Sequence, residues 1–394
     1  MAWRPSFCMT IFRLNAVPQG RYCCLVIRRF YVHNYRCLEN FELPIADRSS
    51  VLLIGKNGAG KSTVGFALEI LQKIARGVNR VDDLVKPKDL AHGRTDVPMR
   101  FEIKLERGVH TFEYTIAFDL PLGFKELRVF EERLLVNGSP IFSRSLAQVH
   151  LARTNQENEA KFRLDWHLAA LPIVQEQTTK DPLFIFKQWL GRSLILRPMP
   201  SLIKGISEQE TLQPNKEGTD FGAWFSGLLA YAPAAYGKID HYLKQVMPDF
   251  NDIKNPVIGK DSRSLEVQFS NSLGNANIPF EDLSDGEKCF MICATVLAAN
   301  AAYGPLICFW DEPDNYLALS EVGHFITALR KAFQSGGQFV TTSHNSEAIR
   351  SFSEENTFVL YRKSHLEPTN IQPVGELTIN GELVNALVRD DIEP

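Results

Sequence analysis

A glycine-rich turn between a strand-length apolar run and a helical pattern constrains this chain more than any other feature. Gly55-Lys56-Asn57-Gly58-Ala59-Gly60-Lys61-Ser62 follows Val51-Leu52-Leu53-Ile54 and precedes apolar positions at Val64, Leu68, Leu71 and Ala75. The form is G-x-x-x-x-G-K-[ST], which binds phosphate only when a strand leads in and a helix leads out. Phosphates need many donors at close range, and glycines let backbone N–H groups curl round them with no Cβ in the way. The helix that starts here adds its positive dipole end. Gly55, Asn57, Gly58, Ala59, Gly60, Lys61, Ser62 and Thr63 are therefore the candidate nucleotide-binding residues. Lys61 would reach the β- and γ-phosphates of ATP, and the Ser62 hydroxyl would hold Mg²⁺. The alternative, a plain glycine-rich turn, leaves the lysine and hydroxyl without a purpose.

Three later segments complete the pattern. Leu306-Ile307-Cys308-Phe309-Trp310 is apolar throughout, as in a strand covered on both faces, and it ends in Asp311-Glu312. Two carboxylates at the carboxyl end of a strand stand where open α/β sheets bind ligands. Strand alternation would point them in different directions. Asp311 is the candidate for the Mg²⁺ shell, and Glu312 for orienting and deprotonating water. Thr341-Thr342-Ser343-His344 ends another apolar strand, and an imidazole there can accept from water or donate to a phosphate oxygen. Ser284-Asp285-Gly286-Glu287 has the Ser-x-x-Glu form of a capping box, with a helix running on through Phe290, Ile292, Val296 and Leu297. That makes Ser284, Gly286 and Glu287 part of a helix N-terminus ready for an anion.

These motifs resemble ABC-type ATPases of the RecF, SMC and OLD-like group. The resemblance rests on GKNGAGKS at 55–62, LSDGE at 283–287, FWDEPD at 309–314 and TTSH at 341–344. Phe30 to Leu38, Glu132 to Gly138, Gly218 to Trp224 and Met247 to Phe250 extend it towards compact bacterial ATPases of the AAA_15 and AAA_21 type, many of which occur in anti-phage defence loci. It covers the chain from about Leu25 to Tyr361. The resemblance implies an α/β P-loop head whose ATP is sandwiched between two copies. Lys61 and Ser62 would bind phosphate and Mg²⁺, Asp311 would bind Mg²⁺, Glu312 would be the base and His344 the switch histidine. Ser284 and Gly286 would contact ATP held by the other copy. Two departures stand out. No glutamine between Ile74 and Leu120 suits the family's Q-loop, Gln72 lying within the Walker A helix, and Ala318 stands where Asp or His is common.

The organisation expected is an N-terminal extension over 1–22, with Met9 an alternative start. A first ATPase lobe over 23–140 carries the Walker A loop and an antiparallel β arm. A compact helical lid is inserted over 141–255, and a second lobe over 256–394 carries signature, Walker B and switch histidine. Phe101–Leu105 and Thr111–Phe118 alternate like half-buried strands and supply the arm. The lid carries Lys187, Arg192, Arg197 and Lys204, more simply a solvated helix face than a contact to a nucleic-acid backbone.

A net charge of −3 limits any DNA contact to a local patch. Seven cysteines with no C-x-x-C pair point to a reducing, cytoplasmic setting, and Cys289 and Cys293 read as packing residues. No apolar run approaches the ~18 residues of a membrane span. Asp82-Asp83 and Asp390-Asp391 read as solvated turns, and the ~50 residues after His344 are too few for an appended nuclease domain. The resulting expectation is an ATPase that forms homodimers, with the size of any higher assembly open, and controls a separately encoded effector, a nuclease first among candidates. A RecF-like repair ATPase and an ATP-dependent scaffold that sequesters an effector are the alternatives. A transporter's nucleotide-binding subunit would share the motifs, but the arm strands and long insertion argue against it.

Overall fold

The computed structural model describes residues 25–152 and 160–377, so the extension over 1–22 and Asp390-Asp391 lie outside the described residues. A six-stranded central sheet runs in the order Leu194–Leu196, Ile307–Asp311, Gln338–Thr342, Ser50–Ile54, Thr357–Tyr361, Asn370–Pro373. The first five are parallel neighbours and the last pairs antiparallel. The Walker A strand Ser50–Ile54 thus lies between the switch strand Gln338–Thr342 and Thr357–Tyr361, and the Walker B strand Ile307–Asp311 is one place further.

Period-two alternation divides these strands between two cores. Val51, Leu53, Phe309 and Val340 face one side, where the Walker A helix Lys61–Ala75 packs with Val64, Leu68 and Leu71. Leu52, Ile54, Cys308, Trp310 and Phe339 face the other, against the signature helix Asp285–Tyr303 and the helix Leu319–Gln334. Each such Leu or Phe contributes about 1.5–3 kcal/mol when fully buried, which holds both helix layers onto the sheet. Gly65 lets the Walker A helix approach closely, since a Cβ there would lie 2.3 Å from the Phe309 ring.

The arm is an eight-stranded antiparallel sheet. It begins with Phe41–Glu42, Leu25–His33, Met99–Arg107 and His110–Asp119, and continues with Arg128–Val136, Ser139–Ser145, Gln148–Leu151 and Ala160–Arg163. Its inner face, with Phe101, Phe112, Phe118 and Phe142, joins the Walker A side of the core. Glu132 is fully buried there and accepts from Tyr114 Oη (2.8 Å) and from the amides of Ala170 (2.6 Å) and Leu171 (2.8 Å). Burial raises its pKa, while those donors and Arg144 oppose the rise.

The stretch 141–255 is not the compact helical lid that the pattern suggests. Its first strands extend the arm, and Leu194–Leu196 enters the central sheet beside the Walker B strand. Helices occupy Pro182–Arg192, Phe221–Tyr231 and Ala235–Val246. The arm extension is hard to read because Phe142 and Val149 alone supply its fully buried apolar positions. The basic cluster is also dispersed. Lys187 pairs with Glu176 at 2.7 Å, Arg192 lies over the Tyr231 and Tyr303 rings, Lys204 is exposed, and Arg197 reaches the carboxyl ends of the strands. Thr357–Tyr361 is a strand, and Val374–Glu376 is a 3-10 turn.

Candidate functional site

The phosphate-binding turn takes its shape from three glycines in the left-handed region, at φ 144° for Gly55, 80° for Gly58 and 101° for Gly60. Gly60 is the N-cap of the Walker A helix, so the turn passes directly into the helix dipole. Lys61 is buried and donates to the carbonyls of Gly55 (2.8 Å) and Lys56 (3.2 Å). Desolvation lowers the Lys61 pKa, with Glu312 and Asp311 pulling the other way. Asn57, Gly58, Gly60, Lys61, Ser62 and Thr63 line a cleft of about 780 Å³ together with Glu312. Gly55 and Ala59 are set back, Ala59 buried with its carbonyl accepting from Thr369 at 2.9 Å.

Walker B and switch strands are joined by one hydroxyl. Thr342 Oγ1 donates to Asp311 Oδ1 at 2.7 Å and accepts from the Glu312 amide at 2.9 Å. The pairing Asp311↔Thr342 puts this contact at the last rung of the parallel ladder. Glu312 lies beyond that rung at φ 49°, so a left-handed turn and not strand alternation aims its carboxylate. For a non-glycine residue this conformation costs on the order of 1–2 kcal/mol. Asn315 Nδ2 donates to Glu312 Oε2 at 2.7 Å, and His344 Nε2 lies 3.7 Å from Oε1. Burial first, and then Lys61, lower the His344 pKa below 6.5.

Asp314 ties the same two loops together on the buried side. It accepts from Ser343 Oγ at 2.8 Å, and Ser343 Oγ accepts from the Asn345 amide at 2.9 Å. Its Oδ1 is buried without a hydrogen-bond partner, and desolvation raises its pKa.

The signature turn forms as the sequence suggests. Ser284 Oγ accepts from the Glu287 amide at 3.3 Å, and Glu287 Oε2 accepts from the Ser284 amide at 2.7 Å. A Cβ on Gly286 would lie 3.1 Å from the Tyr316 carbonyl, so this glycine fits the turn closely against the segment after Walker B. Ser284 is exposed, and none of Ser284, Gly286 and Glu287 lines the cleft that Lys61 lines. The structure therefore brings together Lys61, Ser62, Asp311, Glu312 and His344 and leaves the signature apart.

Several cleft residues carry no motif. Arg36, Lys88, His92, Arg197, Arg362 and His365 join Lys61 on its walls, making the cleft strongly cationic. Arg362 comes from the loop after Thr357–Tyr361 and donates to the carbonyls of Gly58 (3.2 Å), His365 (2.7 Å) and Glu367 (2.9 Å). Isolated basic residues in loops offer no spacing to detect. Gln72 is buried and donates to the Ser193 carbonyl, a structural role. Cys289 and Cys293 are buried, with burial pushing both thiols up, Cys289 to about 12. Asp82 pairs with Lys86 at 3.8 Å, both half-exposed.

The donor set fits Mg²⁺ and a polyphosphate. Ser62 and Asp311 offer two oxygens, and no group of three or more His, Cys, Asp or Glu able to hold a metal occurs among the described residues. Mg²⁺ is typically held by one or two protein oxygens with phosphates and waters completing the shell. No helix among the described residues is long and apolar enough to cross a membrane.

The AAA_15 family, described as an AAA ATPase domain, matches residues 26–127, which contain the Walker A loop and the first arm strands. No curated protein matches the chain in sequence. Among solved structures, an SMC head bound to the C-terminal winged-helix domain of ScpA is 13% identical, with a TM-score of 0.51, over 88% of this chain and 98% of that one. The SMC head domain of Thermotoga maritima is 13% identical, with a TM-score of 0.44, over 88% of this chain and 98% of that one. An SMC head with an extended coiled coil, bound to a ScpA C-terminal domain derived from Pyrococcus furiosus, is 11% identical, with a TM-score of 0.47, over 89% and 97%. At 13% identity the first likeness is one of fold, a mixed α/β fold resembling an SMC head with an antiparallel sheet.

Proposed function

We propose that the protein binds and hydrolyses ATP with Mg²⁺ in sites completed by a second copy. The observation that carries this is the division of the motifs: Lys61 and Glu312 line one cleft with His344 3.7 Å from Glu312, while the capped helix start at Ser284 and Gly286 stands outside it. A helix N-terminus with an exposed serine and a bare glycine is suited to an anion presented by another molecule. Mg²⁺, when bound, neutralises charge on the phosphates. Ser62 and Asp311 would hold it, Lys61 supplies a fixed cation and Thr342 fixes the Asp311 carboxylate. Glu312, braced by Asn315 and facing a His344 held neutral by burial, accepts a proton from water.

The dimer is a two-state element that ATP closes, and a partner preferring one state follows ATP occupancy. We assign it the control of a separately encoded effector, a nuclease first among candidates, as in an anti-phage defence system of the cytoplasm. A DNA contact, a repair role or a sequestering scaffold would use the same cycle. Sedimentation velocity of Glu312→Gln tests the assembly. ATP is expected to convert monomer to dimer at micromolar protein, and ATP-saturated monomer alone would overturn it.

A further inference from the structure

Three arginines line the cleft, and they differ in what their guanidinium groups already hold. Arg36 donates to Asp89 at 2.9 Å and lies over the Tyr35 and Phe66 rings. Arg362 spends all three nitrogens on backbone carbonyls. Arg197 has a single polar partner for its guanidinium among the described residues, a long contact from Nε to Asp311 Oδ2 at 3.6 Å. A guanidinium carries five donors in a rigid fork that matches phosphate oxygens. Here nearly all of them are uncommitted, on a side chain 59% exposed that lines an anion-binding cleft.

The backbone fixes where this arginine stands. Leu196 pairs with Trp310 in the parallel ladder, so the residues that follow these two are Arg197, just past its strand, and Asp311. The Arg197 amide donates to the Lys216 carbonyl at 2.7 Å, which anchors the main chain while the side chain keeps its freedom. Asp311 is buried and also takes the Thr342 hydroxyl, so its second oxygen is the one that faces Arg197. The contact is long and the guanidinium is exposed, so the pair is easily exchanged.

Resting on the ATP reading above, we propose that Arg197 is an exchangeable counter-ion of the metal site. It balances Asp311 while that carboxylate has no metal, and turns its fork to the triphosphate when Mg²⁺ takes the carboxylate. Its charge is then conserved in the cleft through metal exchange. The role predicts two changes of opposite sign on its removal, which a residue that merely supports the fold would not produce.

The test uses the full chain and two binding measurements independent of turnover. With saturating Mg²⁺, Arg197→Ala is expected to weaken binding of a fluorescent, non-hydrolysable ATP analogue three- to tenfold, because a phosphate cation is lost. Without nucleotide, the same variant is expected to bind Mn²⁺ two- to fivefold more tightly by EPR titration, because a competitor for Asp311 is gone. Arg197→Lys is expected to keep the nucleotide affinity within twofold. Both affinities of Arg197→Ala lying within twofold of wild type would overturn the proposal. Weakening of both together would also overturn it, by marking a structural role. Lys61→Ala separates this from the underlying reading: if wild type and Lys61→Ala bind the analogue equally, ATP binding in this cleft fails and the role of Arg197 fails with it.

Discussion

His344 Nε2 lies 3.7 Å from Glu312 Oε1, across the gap between the loops that leave two adjacent parallel strands. The imidazole has its pKa lowered by burial and then by Lys61, so at neutral pH it is uncharged and free to accept or donate one hydrogen bond. Acidification protonates His344 only below its usual 6.5, so ATP turnover holds through neutrality and falls on the acid side of 6.5. His344→Gln is expected to lower kcat by about tenfold or more and to displace that acid limb, because a proton-handling side chain is lost. A kcat–pH profile from 5.5 to 9 checks it, and an acid limb unmoved in the variant counts against the assignment.

Arg362 and Thr369 clasp the Walker A turn from outside, through the carbonyls of Gly58 (3.2 Å) and Ala59 (2.9 Å). The turn's phosphate-facing amides depend on that shape. Arg362→Ala is expected to weaken ATP binding about tenfold, near the low end, about 1.5 kcal/mol, for one charged hydrogen bond, with Tm almost unchanged. Isothermal titration beside a thermal melt separates this from unfolding.

Glu132 is not among the residues that line the cleft and serves the fold. Glu132→Ala removes the acceptor for the Ala170 and Leu171 amides and for Tyr114, leaving buried donors unpaired. A loss of about 3–5 kcal/mol is expected from breaking such a buried charged network. Urea unfolding checks it, and a change under about 1 kcal/mol would place the residue among ordinary surface positions.

Gly65→Val tests how closely the Walker A helix meets the Walker B strand. The Cβ would enter the Phe309 ring at 2.3 Å, and overpacking of this kind costs about 1–3 kcal/mol. The helix is expected to shift and nucleotide affinity to fall together with Tm, unlike Arg362→Ala.

The sequence announces those parts of the site whose chemistry needs fixed residue types at fixed spacing. The Walker A turn, the Asp311-Glu312 pair and the Ser284 capping box are of this kind, and each stands on the element its pattern implies. The parts contributed by distant chain segments are silent. Leu194–Leu196 is a three-residue strand too short for any periodicity, yet it sets Arg197 beside Asp311. Arg362 and Thr369 act through backbone carbonyls, which impose no partner residue type and leave no motif. The arm continues past residue 140 because hydrogen bonding along a sheet edge needs few apolar side chains, so a search for apolar alternation stops too early.

The central claim is that each ATP site is built from two copies, and complementation tests it most directly. Lys61→Ala lacks the phosphate cation, and Ser284→Arg presents a bulky side chain where the partner copy would close. Each alone is expected to hydrolyse ATP at under about a hundredth of the wild-type rate, in line with loss of a positioned charge from a closed site. In an equal mixture half of the dimers are mixed, and each of those has one intact site of two, so roughly a quarter of the wild-type rate is expected to return. Steady-state phosphate release is the measurement. Recovery towards that level supports composite sites. A mixture no faster than the two variants separately, or Ser284→Arg turning over at the wild-type rate, would contradict them.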